Sequence, residues 1–184
     1  MFLDTDQFDF VKTIEKNWSV IKKEFSQLEA RHLSLWPEKD LYNQDGWSVY
    51  GLYAFGHKLD DNCQRCPQTT HLVESIPGMT TAGFSALAAG THIFPHTGYS
   101  AEVWRCHLGL IVPQGAQLRV GPETRQWESG KCLVFDDTVE HEAWNPTQEN
   151  RVVLLIDFKK VTSRSGQSAR PLAPPSIIQH VTAR

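Results

Sequence analysis

The sequence predicts a mainly β fold, a double-stranded β-helix of the jelly-roll or cupin-like kind, with an amphipathic helix ahead of it. Two observations carry this. From Thr81 to Phe158 short apolar runs alternate with turn-forming segments at Ala89-Gly90, Pro113-Gln114-Gly115, Gly121-Pro122 and Asn145-Pro146, the pattern of an all-β sandwich or barrel. Ahead of them Val11, Ile14, Trp18, Ile21, Phe25 and Leu28 recur at steps of three and four, which puts them on one stripe of a helix.

The helix is expected over about 6–30, capped by Asp6 or Asp9, with its stripe packed on a sheet. Residues 31–46 hold Pro37, Asn43, Asp45 and Gly46 and read as a loop. WSVYGLYAF from Trp47 to Phe55 is aromatic and β-branched, hence a strand. A short helix is expected from Thr69 to Ser75, closed by Pro77-Gly78, with His57 and His71 on the surface. Alternation along Ala101–Val112 puts Val103, Arg105, His107 and Gly109 on one face and Trp104, Cys106, Leu108 and Leu110 on the other. Seven or eight short strands result.

At 184 residues the chain is long enough to bury a core, and one domain over 1–160 is expected. The 161–184 tail is polar and Pro-rich and reads as extended or partly disordered, with Ile177 and Ile178 able to tack it down. A formal charge of −3 and a pI near 6.2, with no long Lys/Arg cluster, exclude a general nucleic-acid binder. No apolar run is long enough to span a membrane, and MFLDTDQFDF is acidic where a signal peptide is basic and apolar. A cytoplasmic protein is expected. Cys63 and Cys66 form a C-x-x-C, but neither Cys106 nor Cys132 belongs to a second such pair, so two reduced thiols in a loop are expected rather than a zinc site.

The chemistry concentrates between Pro95 and Phe158. His96 and His141, at the edges of separate apolar runs, would meet across a sheet as ligands of one metal ion. Arg105 and Arg151 stand near them, and a planar guanidinium suits a carboxylate. His92 lies four before His96, a spacing that puts both on one strand face and lets His92 approach the site, where it is expected beside the ligands or in a structural role rather than as a third ligand. Of Asp136 and Asp137 at most one faces inward; each is expected to bond a turn or orient His141. Trp127 and Trp144 read as core or rim aromatics. The residue two after His96, where non-haem iron oxygenases commonly carry a carboxylate, is Gly98.

The pieces PHTG, RCHLGLIVP, WESGKCLVFDD, EHEAW and RVVLLID, in this order and spacing, resemble the aspartyl/asparaginyl β-hydroxylase family of Fe(II)- and 2-oxoglutarate-dependent oxygenases. That family binds iron through two histidines with glycine at the carboxylate position, as Gly98 stands here. The resemblance implies that His96 and His141 bind Fe(II) and act in catalysis. It implies that Arg151 and Ser85 hold the distal carboxylate of 2-oxoglutarate, and that Arg105 and His107 lie near its metal-bound end. It further implies that O2 is consumed, that succinate and CO2 are released, and that an unactivated C–H is hydroxylated. Family members acting on acidic residues carry an arginine where Val103 stands, so Val103 and His92 are expected in a pocket for a different substrate: an amino acid, free or carrier-tethered, a peptide, or an acyl chain. The chain is most like the stand-alone bacterial members. The competing reading is a non-catalytic cupin-like module that binds a metal or a small acid.

Overall fold

The computed structural model describes residues 1–160; the expectations for the tail, Ile177 and Ile178 included, lie outside them. Strands β1 (Phe2–Leu3), β2 (Ser34–Leu35), β3 (Trp47–Ala54), β4 (His57–Lys58), β5 (Met79–Leu87), β6 (Thr91–His96) and β7 (Val103–Ile111) are followed by β8 (Gln117–Val120), β9 (Glu123–Gln126), β10 (Cys132–Phe135), β11 (His141–Asn145) and β12 (Arg151–Lys159). Helices α1 (Asp9–Lys16), α2 (Trp18–Ser26), α3 (Asp60–Arg65) and α4 (Pro67–Glu74) interleave with them. The strands form an eight-stranded sheet, ordered β1-β10-β7-β12-β5-β3-β2 with β4 on β3, and a four-stranded sheet, ordered β6-β11-β8-β9. This is the two-sheet jelly roll that the turn spacing predicts.

Alternation along the strands makes two cores. Cys106, Leu108, Leu110, Leu154 and Ile156 point out of the large sheet and pack with Val11, Ile14, Ile21 and Val73 of the helices. Leu87, Ile93, Leu118, Val120, Trp127, Phe135, Ala143 and Val153 point between the sheets. The inward positions of β5, β7 and β12 also carry Ser85, Arg105, His107, Arg151 and Asp157, and this polar residue set within an apolar barrel marks the site.

The predicted single N-terminal helix is two. The Asn17 side-chain amide donates to Thr13 O at 2.8 Å, sharing that carbonyl with the Asn17 backbone N–H at 3.3 Å, and α2 starts afresh from Asn17. Neither Asp6 nor Asp9 is a cap: Asp4 accepts from Asp6 N, and α1 begins after Phe8 with no side-chain cap. Cys63 and Cys66 are not in a loop. Both are buried in α3 and at the start of α4, where burial pushes the Cys66 thiol up to about 12 and leaves it unreactive. Among the described residues no helix is long and apolar enough to cross a membrane.

Glu24 ties the helices together. Its buried carboxylate accepts from Gln68 N and Thr69 N at 2.8 Å and from Thr69 Oγ1 at 2.6 Å, capping the first turn of α4 from α2. Glu24→Ala leaves these donors unpaired and lowers unfolding free energy by about 2–3 kcal/mol, measurable by urea denaturation. A loss below about 0.5 kcal/mol, the level of an ordinary surface change, removes the clamp.

Candidate functional site

β6 and β11 run antiparallel with His96 opposite His141, and the imidazole centroids lie 4.2 Å apart. Each Nδ1 rests on a carbonyl two residues earlier, His96 on Phe94 O at 2.7 Å and His141 on Val139 O at 2.9 Å. A ring that donates through Nδ1 keeps its Nε2 lone pair for a metal ion. Burial, and then the neighbouring His96, push His141 down to about 3, so its ring is neutral, the form a metal binds.

Gly98 has room for no side chain. A Cβ there would stand 1.6 Å from Asp137 Oδ2, while Gly98 N donates to Asp137 O at 2.6 Å. The Asp137 carboxylate therefore occupies the space beside Gly98. It is fully buried, 3.3 Å from His141 Nε2 and 2.6 Å from Arg105 Nη1. Asp136 points the other way, to Thr138 and Lys160, as expected for consecutive residues. Among the described residues no group of three or more His, Cys, Asp or Glu is arranged to hold a metal ion. The donor set fits a metal on two imidazoles with its other positions left to small ligands.

His92 is a correction. The register of β11 against β6 shifts between His141 and Ala143, and this bulge breaks the parity on which a spacing of four relies. His96 faces His141, whereas His92 lies on the outer face, bonded to Glu142 at 2.7 Å and packed on Phe94 and Trp144. Val103 is buried at the start of β7, two residues before Arg105.

Arg105 is engaged within the protein. Its Nε and Nη2 donate in a fork to Asp157 at 2.7 and 2.8 Å, and Nη1 faces Asp137. Two carboxylates offset its charge, and the geometry makes it a brace for Asp137. Asp157 was legible only as a lone charge in VVLLIDF, at inward parity with Arg151.

Arg151 is the opposite case. It is 1% exposed, and among the described residues no carboxylate pairs with it. Nη1 donates to Ser85 O at 3.2 Å, Nε has no partner, and the guanidinium lies 4.6 Å from the Trp127 ring centroid. Burial alone pushes its pKa down to about 9. Ser85 Oγ accepts from Trp47 Nε1 at 3.1 Å. His107 is buried with both ring nitrogens unpartnered, and burial, then Arg151, hold it well below the usual imidazole range. A buried cation and buried donors without acceptors are costly; together they fit a small anion such as a carboxylic acid. Trp47 and Trp127 were missed as site residues because aromatics in apolar runs look like core.

Residues 15–161 match the sequence profile described as Aspartyl/Asparaginyl beta-hydroxylase. The chain is 39% identical to an ornithine lipid ester-linked acyl 2-hydroxylase of Rhizobium tropici over 85% of its length and 59% of that protein's. It is 34% identical to the Homo sapiens aspartyl/asparaginyl beta-hydroxylase over 84% of its length and 21% of that protein's. It thus spans only part of these relatives. Two solved structures share the fold. A prolyl-4-hydroxylase of Pseudomonas putida has TM-score 0.53 at 15% identity, covering 83% of this chain and 100% of that one. A 2OG-Fe(II) oxygenase family oxidoreductase of Burkholderia pseudomallei has TM-score 0.54 at 10% identity, covering 78% of each.

Proposed function

Since the chain belongs to the aspartyl/asparaginyl beta-hydroxylase family, we propose that it is a hydroxylase dependent on Fe(II), 2-oxoglutarate and O2. The observation that carries this reading is Arg151, a buried guanidinium without an acidic partner among the described residues, in the same barrel as two histidines whose Nδ1 atoms rest on backbone carbonyls. Iron with 2-oxoglutarate and O2 supplies the oxidising power for C–H hydroxylation, with succinate and CO2 as co-products. In this reading His96 and His141 hold the metal, and the carbonyls of Phe94 and Val139 fix their tautomers. Arg151 binds the distal carboxylate of the cosubstrate, with the Ser85 hydroxyl beside it. His107 stands between that end and the metal, its ring donor available to the other carboxylate. Arg105 holds Asp137 against His141 and Gly98.

The substrate is read as presenting an uncharged C–H. Val103 offers no charge, Arg105 is offset by Asp137 and Asp157, and Lys160 is paired with Asp136, so an acidic side chain would find none of these cations free at the barrel end. An acyl chain or a neutral amino-acid residue, free, carrier-tethered or peptidyl, suits it. Four free cysteines favour a reducing compartment, the cytoplasm.

Anaerobic addition of Fe(II) and 2-oxoglutarate is expected to give the weak visible charge-transfer band of the chelate, absent in Arg151→Ala and in His141→Ala. Metal-loaded wild type without a band would instead support the non-catalytic module that binds a metal or a small acid.

A further inference from the structure

We infer that Trp127 is a further cosubstrate-binding residue: its ring face holds the Arg151 guanidinium, and its indole N–H donates to an oxygen of the dicarboxylic acid that Arg151 binds. The inference rests on the proposed 2-oxoglutarate site and extends it.

Three observations converge. The first is how the indole gets there. Trp127 lies in the connection between β9 and β10, whose next residues, Glu128 and Ser129, are exposed. The connection is laced onto β7 at one point, where Gly130 N donates to Gly109 O at 2.8 Å and Gly109 N to Lys131 O at 3.0 Å. The approach is so close that a Cβ on Gly109 would stand 2.2 Å from Glu128 O. Gly109 thus lets the loop backbone reach the strand, and the side chain just before it is driven into the barrel, 3% exposed.

The second is what the indole meets. Its ring lies 4.6 Å from the Arg151 guanidinium carbon and 6.1 Å, centroid to centroid, from His107. A cation on an aromatic face is favourable, more so when both are out of water, and the stack restricts how the guanidinium can turn. The third is what the indole lacks. Among the described residues Trp127 Nε1 is buried with no acceptor, as is Arg151 Nε, and neither His107 nitrogen, one a donor and one an acceptor, has a partner. An indole nitrogen can only donate, and a buried donor without an acceptor is unusual in a native fold. Trp47, another indole of the core between the sheets, is satisfied by Ser85 Oγ. The unsatisfied donors therefore gather around one spot, where an acid with several oxygens meets them together.

The test is calorimetric titration of the anaerobic, Mn(II)-loaded protein with 2-oxoglutarate. Trp127→Phe keeps a ring face and removes the donor, so its Kd rises roughly tenfold, the loss of one hydrogen bond to a charged acceptor. Trp127→Leu removes the stack as well, and its Kd rises roughly a hundredfold. In wild type loaded with diamagnetic Zn(II) instead, the indole 1H–15N resonance that is absent from the Trp127→Phe spectrum shifts downfield as 2-oxoglutarate is added. This readout detects a new hydrogen bond and not a packing change. Wild-type affinity in Trp127→Phe, or an indole resonance that does not move at saturation, overturns the inference and leaves the 2-oxoglutarate site standing. Wild type that takes up no 2-oxoglutarate overturns the site itself, and the inference with it.

Discussion

Replacing Arg151 by methionine raises the melting temperature of the ligand-free protein. The side chain is buried, no carboxylate faces it among the described residues, and its Nε lacks an acceptor. Its compensations are one hydrogen bond to Ser85 O and the Trp127 ring. Burial pushes its pKa down because the charged form loses its hydration and gains no counter-charge. Methionine has similar length, fills the space and carries no charge. Exchanging buried ionic groups for apolar ones commonly stabilises by about 1–4 kcal/mol, and for a chain of this size each kcal/mol is worth roughly 2–4 °C. The expected gain is about 2 kcal/mol. Saturating 2-oxoglutarate reverses the order, because wild type alone gains about 2.7 kcal/mol at a hundred times Kd. Differential scanning fluorimetry of both proteins, with and without ligand, reads the crossing. A ligand-free Arg151→Met that melts several degrees below wild type makes the arginine a structural member and ends its reading as an anion socket.

Gly98→Asp, which restores the carboxylate position common in other iron oxygenases, destabilises the protein and abolishes metal binding. The obstacle is space, since Gly98 is not among the residues with positive φ. The first side-chain atom collides with Asp137 Oδ2 at 1.6 Å and Cγ at 2.2 Å, and a second buried carboxylate arrives beside the first with only Arg105 to offset both. Overpacking costs about 1–3 kcal/mol, and close like charges add to it. Gly98→Asp combined with Asp137→Gly removes the collision, keeps one carboxylate near the histidines, and recovers most of the stability and the Fe(II) affinity. Urea denaturation and anaerobic metal titration separate the outcomes. If the single variant is as stable as wild type, the close approach is not as described. If the double variant is no better than the single, Asp137 is not what excludes a side chain at 98.

These two positions also mark what one sequence could reveal. Gly98 was visible at once as a missing carboxylate, and the resemblance gave it meaning; that Asp137 fills its space was not, because the two lie in separate connections, β6 to β7 and β10 to β11, that only the fold brings together. Arg151 was visible as an arginine opening an apolar strand. Its lack of a carboxylate partner among the described residues, against the double pairing of Arg105, was not, since two arginines at inward parity look alike until their neighbours are placed. His92 shows the limit of parity itself: a single bulge between β6 and β11 turned it to the outer face.

The chain by itself determined the class of fold, the period of its strands, the apolar stripe of its first helices and the two histidines at strand edges. These follow from local rules, turn residues and side-chain periodicity, that act within about ten residues. Tertiary structure alone decided which charges are offset and which stand open. Burial and ion pairing depend on residues far apart in sequence, such as Arg105 with Asp157 or Trp127 with Arg151, and only folding sets them side by side.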